Sequence, residues 1–241
     1  MKIFKILPLL LLISSLSAEN ILFIGNSYTG GIKGAVSELF KQQNSGAKIE
    51  YINPGGKNLM FHVKNPKTIE KIKTGDWDKI VLQDQSQTPA LPGYNKIFHD
   101  ATAEFTKLFK SLKKQPKVYY YMTWGRRDGD KKNEKHFPDF ETMQDLLTEN
   151  YKKAAQANGA TIVPVGLAFK DIHAKDKDIF TSLYAKDGSH PSKAGAYLAA
   201  CIFYGTILDQ APVISIKWNG GLEDHEAVQL RLTAKKIIDQ Q

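Results

Sequence analysis

Ile21-Leu-Phe-Ile-Gly-Asn-Ser-Tyr-Thr-Gly30 reads as a strand handing over to a helix. Its four leading apolar residues show no polar alternation, the pattern of a strand buried on both faces. Gly25 and Asn26 break the run, and Ile32, Val36, Leu39 and Phe40 then recur with helical spacing. Ser27 therefore falls at the end of a strand, where open parallel sheets form their ligand crevices and helix N–H groups point outward. That position predicts a nucleophile.

Working outward, strands are expected at 48–53, 77–83, 118–122 and 161–165. Helices are expected in the second half of 59–73 and over 94–114, 140–157, 166–173 and 191–208, with Pro191 at a first helical position. Five alternations of strand and helix predict an α/β fold: a three-layer α/β/α sandwich on a flavodoxin-like, five-stranded parallel sheet. One domain would span 19–241, with 211–241 as an extension made of an added strand (213–218) and an added helix (222–238). Acidic residues Glu223, Asp224 and Glu226 open that helix and Lys235 and Lys236 close it, as a helix dipole favours. The charged segment 124–136 is long enough for a lid or rim loop, but reads somewhat better as a solvated connector.

Residues 1–18 stand apart. Lys2 and Lys5 precede an apolar run over 6–13, followed by Ser14-Ser-Leu-Ser-Ala18. This is the pattern of a secretory signal peptide cut after Ser17 or Ala18, too short to span a bilayer. A secreted or periplasmic protein with no stable membrane anchor after cleavage is expected. The formal net charge of +8 falls by two with the leader. The remaining excess is spread over 64–73, 107–117 and 126–135 without an aromatic-laced basic stripe, which argues against nucleic acid. A diffuse positive surface suits solubility or attraction to anionic envelope polymers or lipids. The single cysteine, Cys201, permits no intrachain disulfide and reads as core packing. His62, His99, His136, His173 and His225 lack metal-ligand spacing, so no metal or cofactor is expected. Asp76 and Asp78 read as turn residues. No Gly-x-Ser-x-Gly elbow occurs, and Pro54-Gly-Gly-Lys57 is not a full phosphate loop.

A nucleophilic serine needs a base and a group that fixes the base's tautomer. Tyr184-Ala-Lys-Asp-Gly-Ser-His-Pro-Ser192 offers both, with Asp187 three residues before His190 and Gly188 allowing a tight bend. Taken alone, the same stretch suits an Asx-turn beside an exposed histidine. Paired with Ser27 at the end of the first strand, it predicts a triad of Ser27, His190 and Asp187. Trp124, at the end of the fourth strand, either walls the pocket or fills the core. His62 either lines the site or serves a surface or capping role.

Ile24-Gly-Asn-Ser-Tyr-Thr29 and Asp187-Gly-Ser-His-Pro-Ser192 resemble the first and last blocks of the SGNH hydrolase superfamily, the GDSL-type esterases and lipases. The resemblance covers about 20–209 and implies the flavodoxin-like sandwich, with Ser27 as nucleophile, His190 as base and Asp187 as its orienter. It further implies that Gly55 or Gly56 helps Ser27 form the oxyanion hole. Asn26 stands where that family usually has aspartate. The third-block asparagine is missing, and either Gln83 or Gln85 would supply its amide, Gln83 first, as in a glutamine-bearing branch of the superfamily. The function implied is an exported serine esterase acting on a small-molecule or glycan ester, with a short acyl group. An O-acyltransferase using the same triad is the close variant. Two non-catalytic alternatives are a glycan-binding relative and a flavin-binding module wrapping a phosphate with Ser27-Tyr-Thr-Gly-Gly31.

Overall fold

A computed structural model describes residues 19–43, 45–208 and 212–241; the leader expected over 1–18 lies outside them. Five parallel strands form one sheet: β1 (Asn20–Ile24), β2 (Lys48–Ile52), β3 (Lys79–Leu82), β4 (Lys117–Tyr121) and β5 (Thr161–Val163), in the order β2-β1-β3-β4-β5. β1 pairs with both β2 and β3, so the direction of sheet growth reverses around it. Such a reversal opens a crevice beyond the carboxyl ends of the two strands. Those ends are Ile24 and Leu82, which pair in register.

The unalternating apolar strands are explained by two covered faces. Ile21, Phe23, Val81, Tyr119, Tyr121 and Val163 pack with α1 (Ser27–Gln42), α6 (Val165–Lys175) and α8 (Lys193–Ile207). Leu22, Ile24, Ile80, Leu82 and Tyr120 face the opposite layer, which includes α4 (Asn95–Lys110) and α5 (Phe140–Asn158). Short helices α2 (Leu59–Lys64), α3 (Pro66–Thr74) and α7 (Lys177–Ser182) complete the layers.

α8 is buried at every residue except Lys193 and Thr206. A helix apolar all round must be covered all round. Here α1 lies on one side and α9 (Asp224–Ile238) on the other, with Ala227, Leu230, Ala234 and Ile237 of α9 buried. The tail therefore completes the sandwich.

The expected strand at 213–218 does not form. Val213–Ser215 is a single 3₁₀ turn, and Val213 and Ile216, three residues apart, are the buried pair, a helical rather than an alternating spacing. The segment expected to be helical in its second half is two helices. Asn58 caps α2, and Asn65 with Pro66 stops it and starts α3. α8 begins at Lys193, with Ser192 as its cap, so Pro191 precedes the helix instead of opening it. α7 was not anticipated. Cys201 is buried in α8.

Candidate active site

The site begins with the turn between β1 and α1. Asn26 is the helix cap, its Oδ1 accepting from Tyr28 N at 3.0 Å, and Ser27 is the first helical residue. Gln83, at the end of β3, is fully buried, and its Oε1 accepts from Asn26 N (2.9 Å), Thr29 N (3.3 Å) and Thr29 Oγ1 (2.8 Å). A helix start leaves four N–H groups without intrahelical acceptors. Those of Asn26, Tyr28 and Thr29 are taken by side chains, and Gly30 N opens the regular ladder onto Asn26 O. Among the described residues, only Ser27 N in this first turn has no acceptor. Gly25 is required for this packing, because a Cβ there would overlap Thr29 Oγ1 and Gln83 Oε1. Beneath the turn, His62 is buried, with Nε2 donating to Gly25 O at 2.8 Å and Nδ1 against Thr68 Oγ1 at 3.3 Å. Burial lowers the His62 pKa, against the smaller upward pull of its bond to Gly25.

Ser27 Oγ donates to His190 Nε2 at 2.9 Å, and His190 Nδ1 donates to Asp187 Oδ2 at 2.6 Å. The other carboxylate oxygen, Asp187 Oδ1, accepts the backbone N–H groups of Ser189 and His190, each at 2.9 Å. Partial burial would raise the Asp187 pKa. The bonds from the His190 ring and the two N–H groups outweigh it and hold the carboxyl at about 2. Gly188, at φ +64°, makes the bend that brings aspartate and histidine together.

These groups open on a cavity of about 100 Å³ lined by Asn26, Ser27, Tyr28, Gly56, Gln85, Ser86, Arg126, Ser189 and His190. No aliphatic side chain is among them. Tyr28 OH and Ser189 Oγ lie 2.8 Å apart. The charged segment after β4 is neither a free lid nor a loose connector. Trp124 Nε1 donates to Ser189 O at 3.0 Å, Arg127 N donates to Gly188 O at 2.9 Å, and Asp130 accepts from Gln87 Nε2. The segment thus ties the histidine loop to the turn after β3.

No protein-family model matches the chain, and no curated protein matches it in sequence. Solved structures do. A DUF4886 family protein from Bacteroides uniformis superposes with a TM-score of 0.76 at 19% identity, over 92% of this chain and 95% of that one. A candidate SGNH hydrolase from Slackia heliotrinireducens gives a TM-score of 0.67 at 28% identity, over 79% of this chain and all of that one. An acetyl xylan esterase from Geobacillus stearothermophilus gives 0.55 at 16%, over 80% and 94%. The fold is the SGNH hydrolase fold.

On this SGNH framework the residues expected from the sequence separate into three groups. Ser27, His190 and Asp187 lie in one hydrogen-bonded chain, with Asn26 beside them. Gly56, at φ +68°, borders the cavity and Gly55 does not. Gln83 corrects the expectation for the missing amide. Its oxygen is spent on the turn that carries Ser27 and its Nε2 donates to Asp84 O, so it is a clamp behind the site. Gln85 borders the cavity instead. Its Oε1 accepts from Gln87 N and its Nε2 donates one hydrogen to Gln87 Oε1 at 2.9 Å. His62 and Trp124 are both buried outside the cavity lining. Trp124 stacks on Phe169 at 4.3 Å with 4° between the rings, and holds the histidine loop from behind.

Tyr28, Ser86, Arg126 and Ser189 were not singled out from the sequence. Tyr28 and Ser189 adjoin Ser27 and His190 in the chain, which was a usable signal. Arg126 and Ser86 reach the cavity only through tertiary packing. Ser27-Tyr-Thr-Gly-Gly31 is the first turn of α1, so it is not the open phosphate-wrapping loop of the flavin alternative. Among the described residues no cluster of three or more His, Cys, Asp or Glu is placed to hold a metal, and no helix is long and apolar enough to cross a membrane.

Proposed function

We propose that the protein is an exported serine esterase that removes a short acyl group from a carbohydrate ester. The observation that carries this reading is the unbroken chain Asp187–His190–Ser27, at 2.6 and 2.9 Å, opening on a small polar cavity. In the reaction, Ser27 Oγ attacks the ester carbonyl carbon as its proton passes to His190 Nε2. Asp187 keeps the other ring nitrogen protonated and stabilises the imidazolium. The oxyanion is held by the N–H groups of Ser27 and Gly56, with Gln85 Nε2 as third donor. The intermediate collapses, the C–O bond to the alcohol breaks, and His190 protonates the departing oxygen. Water then attacks the acyl-enzyme, giving a proton to His190, and the free acid and Ser27 hydroxyl are regenerated.

The acyl group is assigned as short because about 100 Å³ is well below the roughly 300 Å³ at which pockets for larger ligands begin. The polar lining supports a sugar as the alcohol. Acetyl xylan esterases among the structural relatives act in the same sense. Export rests on the leader composition.

The test is labelling of the mature protein with a fluorophosphonate, beside turnover of 4-nitrophenyl acetate and acetylated sugars. Ser27→Ala is expected to abolish labelling and lower kcat by about 10⁴-fold or more, and His190→Ala similarly. Undiminished labelling of the Ser27→Ala protein would overturn the nucleophile. Appearance of acylated sugar instead of free acid would make the protein a transferase.

A further inference from the structure

Gln85 is held at both ends of its amide. Its Oε1 accepts from Gln87 N at 2.8 Å and Thr88 N at 3.1 Å, backbone groups that can only donate. Its Nε2 donates to Gln87 Oε1 at 2.9 Å. Gln87 does not line the cavity, and its own Nε2 donates to Asp130 Oδ2. Asp130 is 1% exposed, and it also accepts from Arg126 Nη1 and Asn133 Nδ2, each at 2.7 Å, and from Lys132 N at 3.2 Å. Burial would raise the Asp130 pKa. The bonds from Asn133 and Gln87 and the charge of Arg126 outweigh it and hold the carboxyl below its usual range.

An ionised carboxylate accepts and cannot donate, so the Gln87 atom that meets Asp130 is its nitrogen. The oxygen of Gln87 is thereby turned to Gln85, and the nitrogen of Gln85 is turned to Gln87. A chain of fixed polarity runs from buried Asp130 through Gln87 to the edge of the cavity. An amide nitrogen carries two hydrogens, and Gln87 takes one from Gln85, which leaves the second at a residue that borders the cavity.

Resting on the esterase reading with Gln85 as third oxyanion donor, we propose that Gln87 is a positioning residue for the reaction, its carbonyl fixing Gln85 Nε2 and the buried Asp130 setting its polarity. Gln87 acts through Gln85 and touches neither substrate nor Ser27. A donor stabilises a nascent oxyanion most when it is already in place as the charge develops. Without the Gln87 carbonyl, the Gln85 amide is held at its oxygen end alone and its nitrogen is free to swing.

The experiment is a double-mutant cycle on turnover of 4-nitrophenyl acetate, with native protein, Gln87→Met, Gln85→Ala and the two combined. Gln87→Met keeps the length of the side chain and removes both of its amide bonds. It is expected to lower kcat by about 10-fold while KM changes by less than about 2-fold, because a misplaced donor is lost chiefly from the transition state. In the Gln85→Ala background the same substitution should change kcat by less than about 2-fold. Its urea midpoint should stay near the native value, since Asp130 keeps Arg126, Asn133 and Lys132 N. An unchanged kcat in Gln87→Met overturns the proposal, and so does an equal loss in both backgrounds, which would mean that Gln87 does not act through Gln85. A fall in midpoint as large as that of Gln83→Ala would make Gln87 a structural residue and overturn it too. Full kcat in Gln85→Ala removes the third donor, and this proposal with it, while leaving the esterase reading intact. A native protein that turns over neither this ester nor acetylated sugars overturns the esterase reading and the proposal together.

Discussion

Gln83 and Gln85 stand two positions apart and do unrelated work. β3 ends at Leu82, so beyond it the alternation of a strand no longer says which way a side chain points. That is why the sequence names two glutamines and the structure separates them. Gln83→Ala leaves Asn26 N and Thr29 N without acceptors in a buried place, at about 1–3 kcal/mol for each unsatisfied group. The expected result is a clear fall in the urea midpoint. Gln85→Ala removes the proposed oxyanion donor and should lower kcat by about 10²–10³-fold. Measuring both midpoints and both kcat values checks the division. A larger kcat loss than stability loss in Gln83→Ala would reverse it. The hydrogen-bonded chain of Ser27, His190 and Asp187 was legible because Ser27 and the Asp187–His190 pair each carry a local motif. Arg126 was not, because it comes from a charged segment whose seat depends on Asp130, Gln87 and Gly188, residues that no periodicity connects.

Among the elements, α9 shows how a tail read as an addition becomes part of the core. Its charges at either end identified the helix, while its burden on α8 was visible only in three dimensions. α8 is too apolar for a surface helix, and that excess in 191–208 was the available clue. Deleting 222–241 would expose Tyr197, Cys201 and the surrounding face of α8. The tail also supplies Trp218 O to Tyr197 OH at 2.9 Å and Arg231 Nη1 to the same hydroxyl at 2.8 Å. The truncated protein is expected to be aggregated, as read by size-exclusion chromatography, even though α9 contributes no residue to the cavity lining. A soluble, monodisperse truncation would refute this role. The short strand expected at 213–218 failed for a related reason: only Val213 and Ile216 are drawn inward, and a 3₁₀ turn delivers both.

At the scale of the molecule, pH acts on stability through Asp84. It is fully buried; its Oδ1 accepts from Gln85 N (2.5 Å) and Leu59 N (3.3 Å), and its Oδ2 has no partner. Burial raises its pKa to about 7 from 3.8, the two N–H bonds only moderating the rise. The folded protein then holds a proton that the unfolded chain has released. Its stabilising contribution is complete below 3.8 and is lost as pH climbs toward about 7. Urea midpoints should decline across that window, and Asp84→Asn should flatten the decline. An unchanged slope in the variant would remove Asp84 as its source. Asp187 has the opposite sign, its ionised form persisting down to about 2, so it sets no acid limb of activity above that value. The sandwich was readable from the chain because each strand carries apolar residues for two faces. The charge network around the cavity was not, since it joins residues from five separate segments.

The near-saturation of the first turn of α1 has one more consequence. An open helix start attracts any anion present, and a basic protein would meet many. Here three of four donors are already committed inside the chain, and the fourth belongs to Ser27, the proposed nucleophile. The turn is therefore a poor trap for charge that already exists and a focused support for charge created at Ser27. On the esterase reading, the one uncommitted N–H of the turn is thereby reserved for charge that exists only while the reaction is under way.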